Sequence, residues 1–167
     1  MELNKKILKS LIIIALCFVL DRISKVYILE VFLQNGFKNI YINSFLNITL
    51  LWNNGIAFGL FESENIVYHF ITLVIFSIIT FIFYLIYKTN IKLEFVCFSV
   101  IAGGAIGNLF DRLYYQAVPD FIDFHYNDFH WFTFNVSDVF ITIGIILLLI
   151  FDMFKFNKKD KDNEKNN

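Results

Sequence analysis

The sequence predicts an all-α membrane protein of four transmembrane helices, N-in and C-in, with a small extracytoplasmic β-sheet and an interfacial loop. Three observations lead there. Of 167 residues, 57% are hydrophobic, including 22 Phe and 8 Tyr, and the mean hydropathy is +0.62, beyond the apolar share of soluble domains. Four windows, 7–29, 66–87, 93–113 and 136–156, reach the roughly 20 mostly apolar residues a membrane helix needs. Lysines also gather at alternate connections, which sets the orientation.

The first span, 7–29, follows Lys5, Lys6 and Lys9. This start imitates a secretory signal peptide, but no small-x-small cleavage site follows, so the segment is expected to be retained. Asp21 and Lys25 are four residues apart and share a helix face, whereas Arg22 points elsewhere and needs another partner. The Asp21–Lys25 pair either fixes helix packing at the outer end or contacts a substrate carbonyl or headgroup. In the connection 30–65, Phe45 to Trp52 is rich in β-branched and aromatic residues and precedes the turn signal Asn53-Asn54-Gly55, which predicts the small sheet.

The second span, 66–87, carries no formal charge apart from a possible one on His69, and Lys88 and Lys92 separate it from the third, 93–113. There Gly103 and Gly107 form a small-xxx-small packing face. Gly104, Asn108 and Arg112 lie on one stripe at four-residue spacing, suited to gripping peptide carbonyls. Asp111 and Arg112 are sequence neighbours and cannot face each other on a helix, so Asp111 is expected to pair with Arg22 or Lys25 across the bundle. The connection 114–135 is read as an interfacial loop whose aromatics anchor at headgroup level. After the fourth span, 136–156, Lys158, Lys159, Lys161 and Lys165 mark a charged cytoplasmic tail, 157–167, expected to be disordered. Residues 1–156 would form a single domain.

An ionisable group at bilayer depth costs roughly 2.5–3.5 kcal/mol on insertion scales and usually faces a partner, a cavity or a reaction. Asp120 and Asp138 bracket the outer loop. For Asp138 two readings stand: it completes a capping box with Asn135, or it is catalytic. Asp120 follows Pro119, the one proline of the chain, which fixes the local backbone and aims the carboxylate reproducibly. Two Asp within hydrogen-bonding distance hold one proton as a unit. One then activates water while the other polarises a carbonyl, and Asn53, Asn108, Arg112 and Asn135 are placed to orient substrate or stabilise an oxyanion.

Other chemistries find little support. Net charge is -1 with no cationic stripe, which argues against nucleic acid. H-E-x-x-H and G-x-S-x-G are both absent from the sequence. Asp120, Asp123, His125, Asp128 and His130 alternate too loosely to predict a metal. Cys17 and Cys97 lie in apolar runs without redox or metal spacing, so no disulfide is expected. Asn47-Ile48-Thr49 and Asn135-Val136-Ser137 match a short, unspecific glycosylation sequon. Two rivals to a peptidase remain open, a small proton-relay or carrier subunit and a catalytically silent lipid-binding bundle.

Asp21-x-x-x-Lys25, Asn53-x-Gly55-x-Ala57-Phe58, Gly103-Gly104-Ala105-x-Gly107-Asn108-x-x-Asp111-Arg112, Asp120-Phe121-x-Asp123-Phe124 and Phe134-Asn135-x-x-Asp138 resemble, in order and spacing, the motifs of the bacterial lipoprotein signal peptidases (signal peptidase II). The resemblance covers about residues 7–155. It implies a multi-pass aspartic endopeptidase of the bacterial inner membrane, its active site near the outer face. Such an enzyme removes signal peptides from diacylglyceryl-modified prolipoproteins on the amino side of the lipidated cysteine. It further implies that Asp120 and Asp138 form the catalytic dyad and that Asn53, Gly55, Asn108, Arg112 and Asn135 contact substrate. Asp21, Lys25 and Asp111 would hold the surrounding network. Expected partners are lipid-modified prolipoproteins and membrane lipids, with a monomeric chain and neither cofactor nor metal. Pro119, Ser137, Trp52 and Ile56 depart from the usual residues of that family, and these changes bear on loop rigidity and pocket width.

Overall fold

Helix α3, Lys92–Tyr115, is the axis around which the other elements gather, because its smallest residues let its neighbours approach. A Cβ on Gly103 would stand 2.6 Å from Cys17 Cβ in helix α1, Glu2–Gln34, and one on Gly104 would stand 2.6 Å from the Ser137 carbonyl in helix α4, Val136–Glu164. Helix α2, Asn65–Lys88, packs on α3 as well. In this computed structural model the described residues are 2–54, 65–127 and 129–164.

Among the described residues, three helical segments are long and apolar enough to cross a membrane: Tyr68–Lys88, Lys92–Tyr115 and Val136–Lys155. Exposed apolar side chains such as Phe76, Phe81, Leu149 and Phe154 cover their outer faces, and Leu16 is exposed on α1 in the same way, far more than a soluble surface carries. Between them Ile14, Ile82, Ile86, Ile101 and Ala102 form the buried core. Helix α1 has 33 residues, about 50 Å of rise, but Asp21, Arg22 and Lys25 interrupt its apolar run.

Four antiparallel strands form one sheet in the order β1-β2-β3-β4: β1 Ile40–Asn43, β2 Leu46–Asn53, β3 Val118–Tyr126 and β4 Phe129–Phe134. The expected strand before Asn53 is therefore present as β2. The expected interfacial loop over 114–135 is not a loop, since most of it is the β3–β4 hairpin. Its backbone groups find ladder partners on β2, which satisfies them better than an irregular chain would. Pro119 is tolerated in β3 because β4 pairs only from Ile122 onward, so the start of β3 is open on the side away from β2.

One other boundary differs from expectation. Helix α4 continues to Glu164, through part of the tail expected to be disordered, because extending an existing helix needs no new nucleus. Gly55, together with Ala57, Phe58 and Asp128, lies outside the described residues. At the end of α3, Gln116 adopts φ 60° and its N–H reaches the Arg112 carbonyl at 3.1 Å. This left-handed cap turns the chain directly into β3 and delivers Asp120 beside the last turn of α3.

Candidate active site

Asp138 sits in the first turn of α4, and its backbone and side chain form a reciprocal cap with Asn135. The Asn135 N–H donates to Asp138 Oδ2 at 3.1 Å, and the Asp138 N–H donates to Asn135 Oδ1 at 3.2 Å. The capping reading is therefore geometrically correct. It leaves two groups over: Asp138 Oδ1, which accepts from Asn108 Nδ2 at 2.7 Å, and the Asn135 amide nitrogen. That nitrogen donates to Asp120 Oδ1 at 2.6 Å. Asn135, itself fully buried, thus holds both carboxylates, one through its backbone and one through its side chain.

Asp120, 2% exposed, accepts a second bond at Oδ2 from Asn53 Nδ2 at 2.9 Å. Asn53 arrives from the end of β2, whose register sets Leu51 opposite Asp120 and Asn53 opposite Val118. Burial pushes the Asp120 carboxyl from 3.8 up to about 6; the Asn53 and Asn135 donors pull against that, and the neighbouring Asp138 charge adds to it. A carboxyl so placed is poised to keep a proton under mildly acidic conditions.

Behind the two acids lies a four-charge cluster. Lys25 Nζ lies 2.9 Å from Asp21 Oδ1 and 2.6 Å from Asp111 Oδ2, and Arg22 lies 2.8 Å from Asp21 Oδ2 and 2.5 Å from Asp111 Oδ1. Two cations meet two carboxylates, and Asp21, Lys25 and Asp111 are fully buried. Complete pairing is what makes such burial tolerable. Asp111 was expected to meet Arg22 or Lys25, and it meets both. Lys25 also donates to Asn108 Oδ1 at 3.0 Å, which fixes the amide so that its nitrogen faces Asp138.

The packing around this cluster is tight. The Ser137 N–H donates to Asp21 Oδ1 at 3.0 Å, and a Cβ on Gly107 would lie 2.8 Å from Asp21 Oδ2. Arg112 is nine-tenths buried on the Asn108 face of α3 and interacts electrostatically with Asp120 and Asp138. Among the described residues its Nε and Nη1 have no hydrogen-bond partner. Tyr68 Oη, from α2, donates to the Arg112 carbonyl.

The structure thus brings together Asp120, Asp138, Asn53, Asn108, Asn135 and Arg112, backed by Asp21, Lys25 and Asp111. Asp123 falls three positions from Asp120 and so on the opposite face of the strand, where its Oδ2 lies 2.8 Å from His130 Nδ1. His125 stacks on His130 at 5.5 Å between centroids. Among the described residues no three His, Cys, Asp or Glu side chains converge as a metal-binding group. Sequence reasoning missed the Tyr68 and Ser137 contacts and the Lys25–Asn108 link. Only the last left a signal, the three-residue spacing that puts Asn108 and Asp111 on one side of α3.

Comparison with known proteins gives one answer. The family described as signal peptidase (SPase) II matches residues 13–155. The chain is 50% identical over 159 residues to the lipoprotein signal peptidase of Pelagibacter ubique (strain HTCC1062), covering 94% of this chain and 93% of that one. It is 40% identical over 154 residues to that of Anaplasma phagocytophilum (strain HZ), covering 90% and 96%. A bacterial membrane enzyme solved by the in meso method at 2.3 Å superposes with a TM-score of 0.68 at 28% identity, covering 90% of this chain and 91% of the other.

Proposed function

The chain belongs to the signal peptidase II family, and on that premise we propose that it is the aspartic endopeptidase that removes signal peptides from diacylglyceryl-modified prolipoproteins. It cuts on the amino side of the lipidated cysteine. The observation that carries the reading is the double grip of Asn135 on Asp120 and Asp138, which holds two acids in one buried site.

In this mechanism the pair keeps one proton between them, and its apparent pKa values belong to both acids. The ionised carboxylate takes a proton from water as the oxygen attacks the scissile carbonyl, and the protonated partner donates to the carbonyl oxygen. Collapse of the tetrahedral intermediate then breaks the C–N bond and passes a proton to the departing amine of the cysteine. Asn53, Gly55, Asn108, Arg112 and Asn135 orient the peptide. The Arg112 N–H groups left over among the described residues supply donors for substrate carbonyls, and Asp21, Lys25 and Asp111 keep Asn108 in place.

The same reading takes α1 as a fourth span, since its interrupting charges are neutralised within the cluster. Lys5, Lys6, Lys9, Lys88, Lys92 and Lys155 then mark the cytoplasmic side, with 157–167 as a cytoplasmic tail. The acids face the outer boundary of the bacterial inner membrane, where a lipidated cysteine enters from the bilayer into a monomeric enzyme. A proton-relay or carrier role would need charges through the membrane depth, whereas the buried charged residues Asp21, Lys25, Asp111, Arg112, Asp120 and Asp123 collect at one end. Purified enzyme offered a diacylglyceryl-modified precursor and its unlipidated twin is expected to cut the lipidated form alone. Equal cleavage of both would refute the substrate assignment.

A further inference from the structure

At the other end of the bundle, about 24 Å along α3 from Asn108 by helical rise, a cavity of about 300 Å³ opens between the start of α1 and the α2–α3 turn. Lys5, Lys6, Lys9 and Lys92 line it together with Thr89 and Phe95, and no carboxylate is among its lining residues. Glu94, two residues beyond Lys92, accepts from the lining Thr89 Oγ1 at 2.6 Å and lies 3.7 Å from Lys155 Nζ. Lys6 is fixed in the wall, donating to the Tyr87 carbonyl at 2.8 Å and to the Thr89 carbonyl. Helix α3 begins here with Ile91 as its cap residue and no side-chain cap, so the positive end of its dipole adds to the lysines.

A second cavity, of about 160 Å³, shares Lys6 with the first and continues along Ile7, Leu11, Phe83 and Ile86. It occupies the cleft between α1 and α2, which both pack on α3. A cationic chamber thus lies beside an apolar slot, with Lys6 in the wall of both. A free anion would use only the chamber. A molecule with an anionic head and a hydrocarbon chain uses both.

We infer that these adjoining cavities bind an anionic phospholipid, its phosphate among Lys5, Lys9 and Lys92 and one acyl chain in the slot beside Leu11 and Phe83. The inference is independent of the peptidase chemistry. The test titrates the full chain in neutral detergent micelles with phosphatidylglycerol, with phosphatidylcholine of the same acyl chains and with glycerol phosphate. Binding is read by native mass spectrometry and by the rise in Tm that a ligand of the folded state produces.

Phosphatidylglycerol is expected to saturate one site, with phosphatidylcholine and glycerol phosphate at least roughly tenfold weaker. Replacing Lys5, Lys9 and Lys92 together by Gln is expected to lose that preference while precursor cleavage in lipid-free micelles is kept. The corresponding Lys→Arg triple keeps the preference, and Leu11→Trp, which fills the slot, weakens phosphatidylglycerol but not glycerol phosphate. Equal binding of the two lipids, undiminished phosphatidylglycerol binding by the Gln triple, or glycerol phosphate binding as tightly as the lipid would each overturn the inference. Should the Gln triple not fold, Leu11→Trp decides, and unchanged lipid binding by it overturns the inference too.

Discussion

Asn135 does three things with one side chain and one peptide group: it starts α4, it orients Asp138, and it donates to Asp120. The spacing Asn135-x-x-Asp138 made the cap legible in the sequence, but not the amide bond to Asp120, because its partner sits on a strand that the sequence reading took for a loop. Asn53 donates to the Asp120 carboxylate, and it favours the ionised form. With the Asp120 carboxyl pushed up to about 6, loss of the shared proton should end activity on the alkaline side of that value. Asn53→Ala removes a bond to the charged form, so the carboxyl moves further up and the alkaline limb of the kcat profile moves to higher pH. A bond of about 1 kcal/mol corresponds to roughly 0.7 of a pH unit. An unmoved limb would show that this carboxyl does not set it.

At the scale of elements, α3 binds the fold together and the site to it. The helices were legible because uninterrupted apolar runs of the right length have few alternatives in a membrane chain. The hairpin β3–β4 was not legible, since its aromatics also fit headgroup anchoring and its pairing partner β2 lies far upstream in sequence. Gly103→Leu would drive a side chain into Cys17 on α1 and should lower stability by about 1–3 kcal/mol, read as a lower Tm in detergent. Lys25→Met should lose more, about 3–5 kcal/mol, because Asp21 and Asp111 both lose a partner. It should also lower kcat, since Asn108 loses the bond that fixes its amide. A Lys25→Met enzyme with wild-type Tm and kcat would remove the four-charge cluster from the account.

For the whole molecule, the charge distribution tells most of the story. Lys5, Lys6, Lys9, Lys88, Lys92 and Lys155 sit at one end, and the buried acids with their partners, Lys25 among them, sit at the other. That polarity was visible in the sequence, whereas the separation of Asp123 from Asp120 was not, because the strand period that turns Asp123 to the other face belongs to a segment read as a loop. What the sequence could not show is how far the bundle itself builds the site: α1, α3, α4, β2 and β3 each supply a group, and only their packing brings two distant acids under one asparagine. The claim that these two acids are a single catalytic unit is tested most directly by making Asp120→Asn and Asp138→Asn separately and assaying cleavage of a diacylglyceryl-modified precursor, with Tm confirming that each variant is folded. The account predicts that each folded variant loses cleavage by at least about 100-fold, the scale of acid–base catalysis; near-wild-type turnover by either would contradict it.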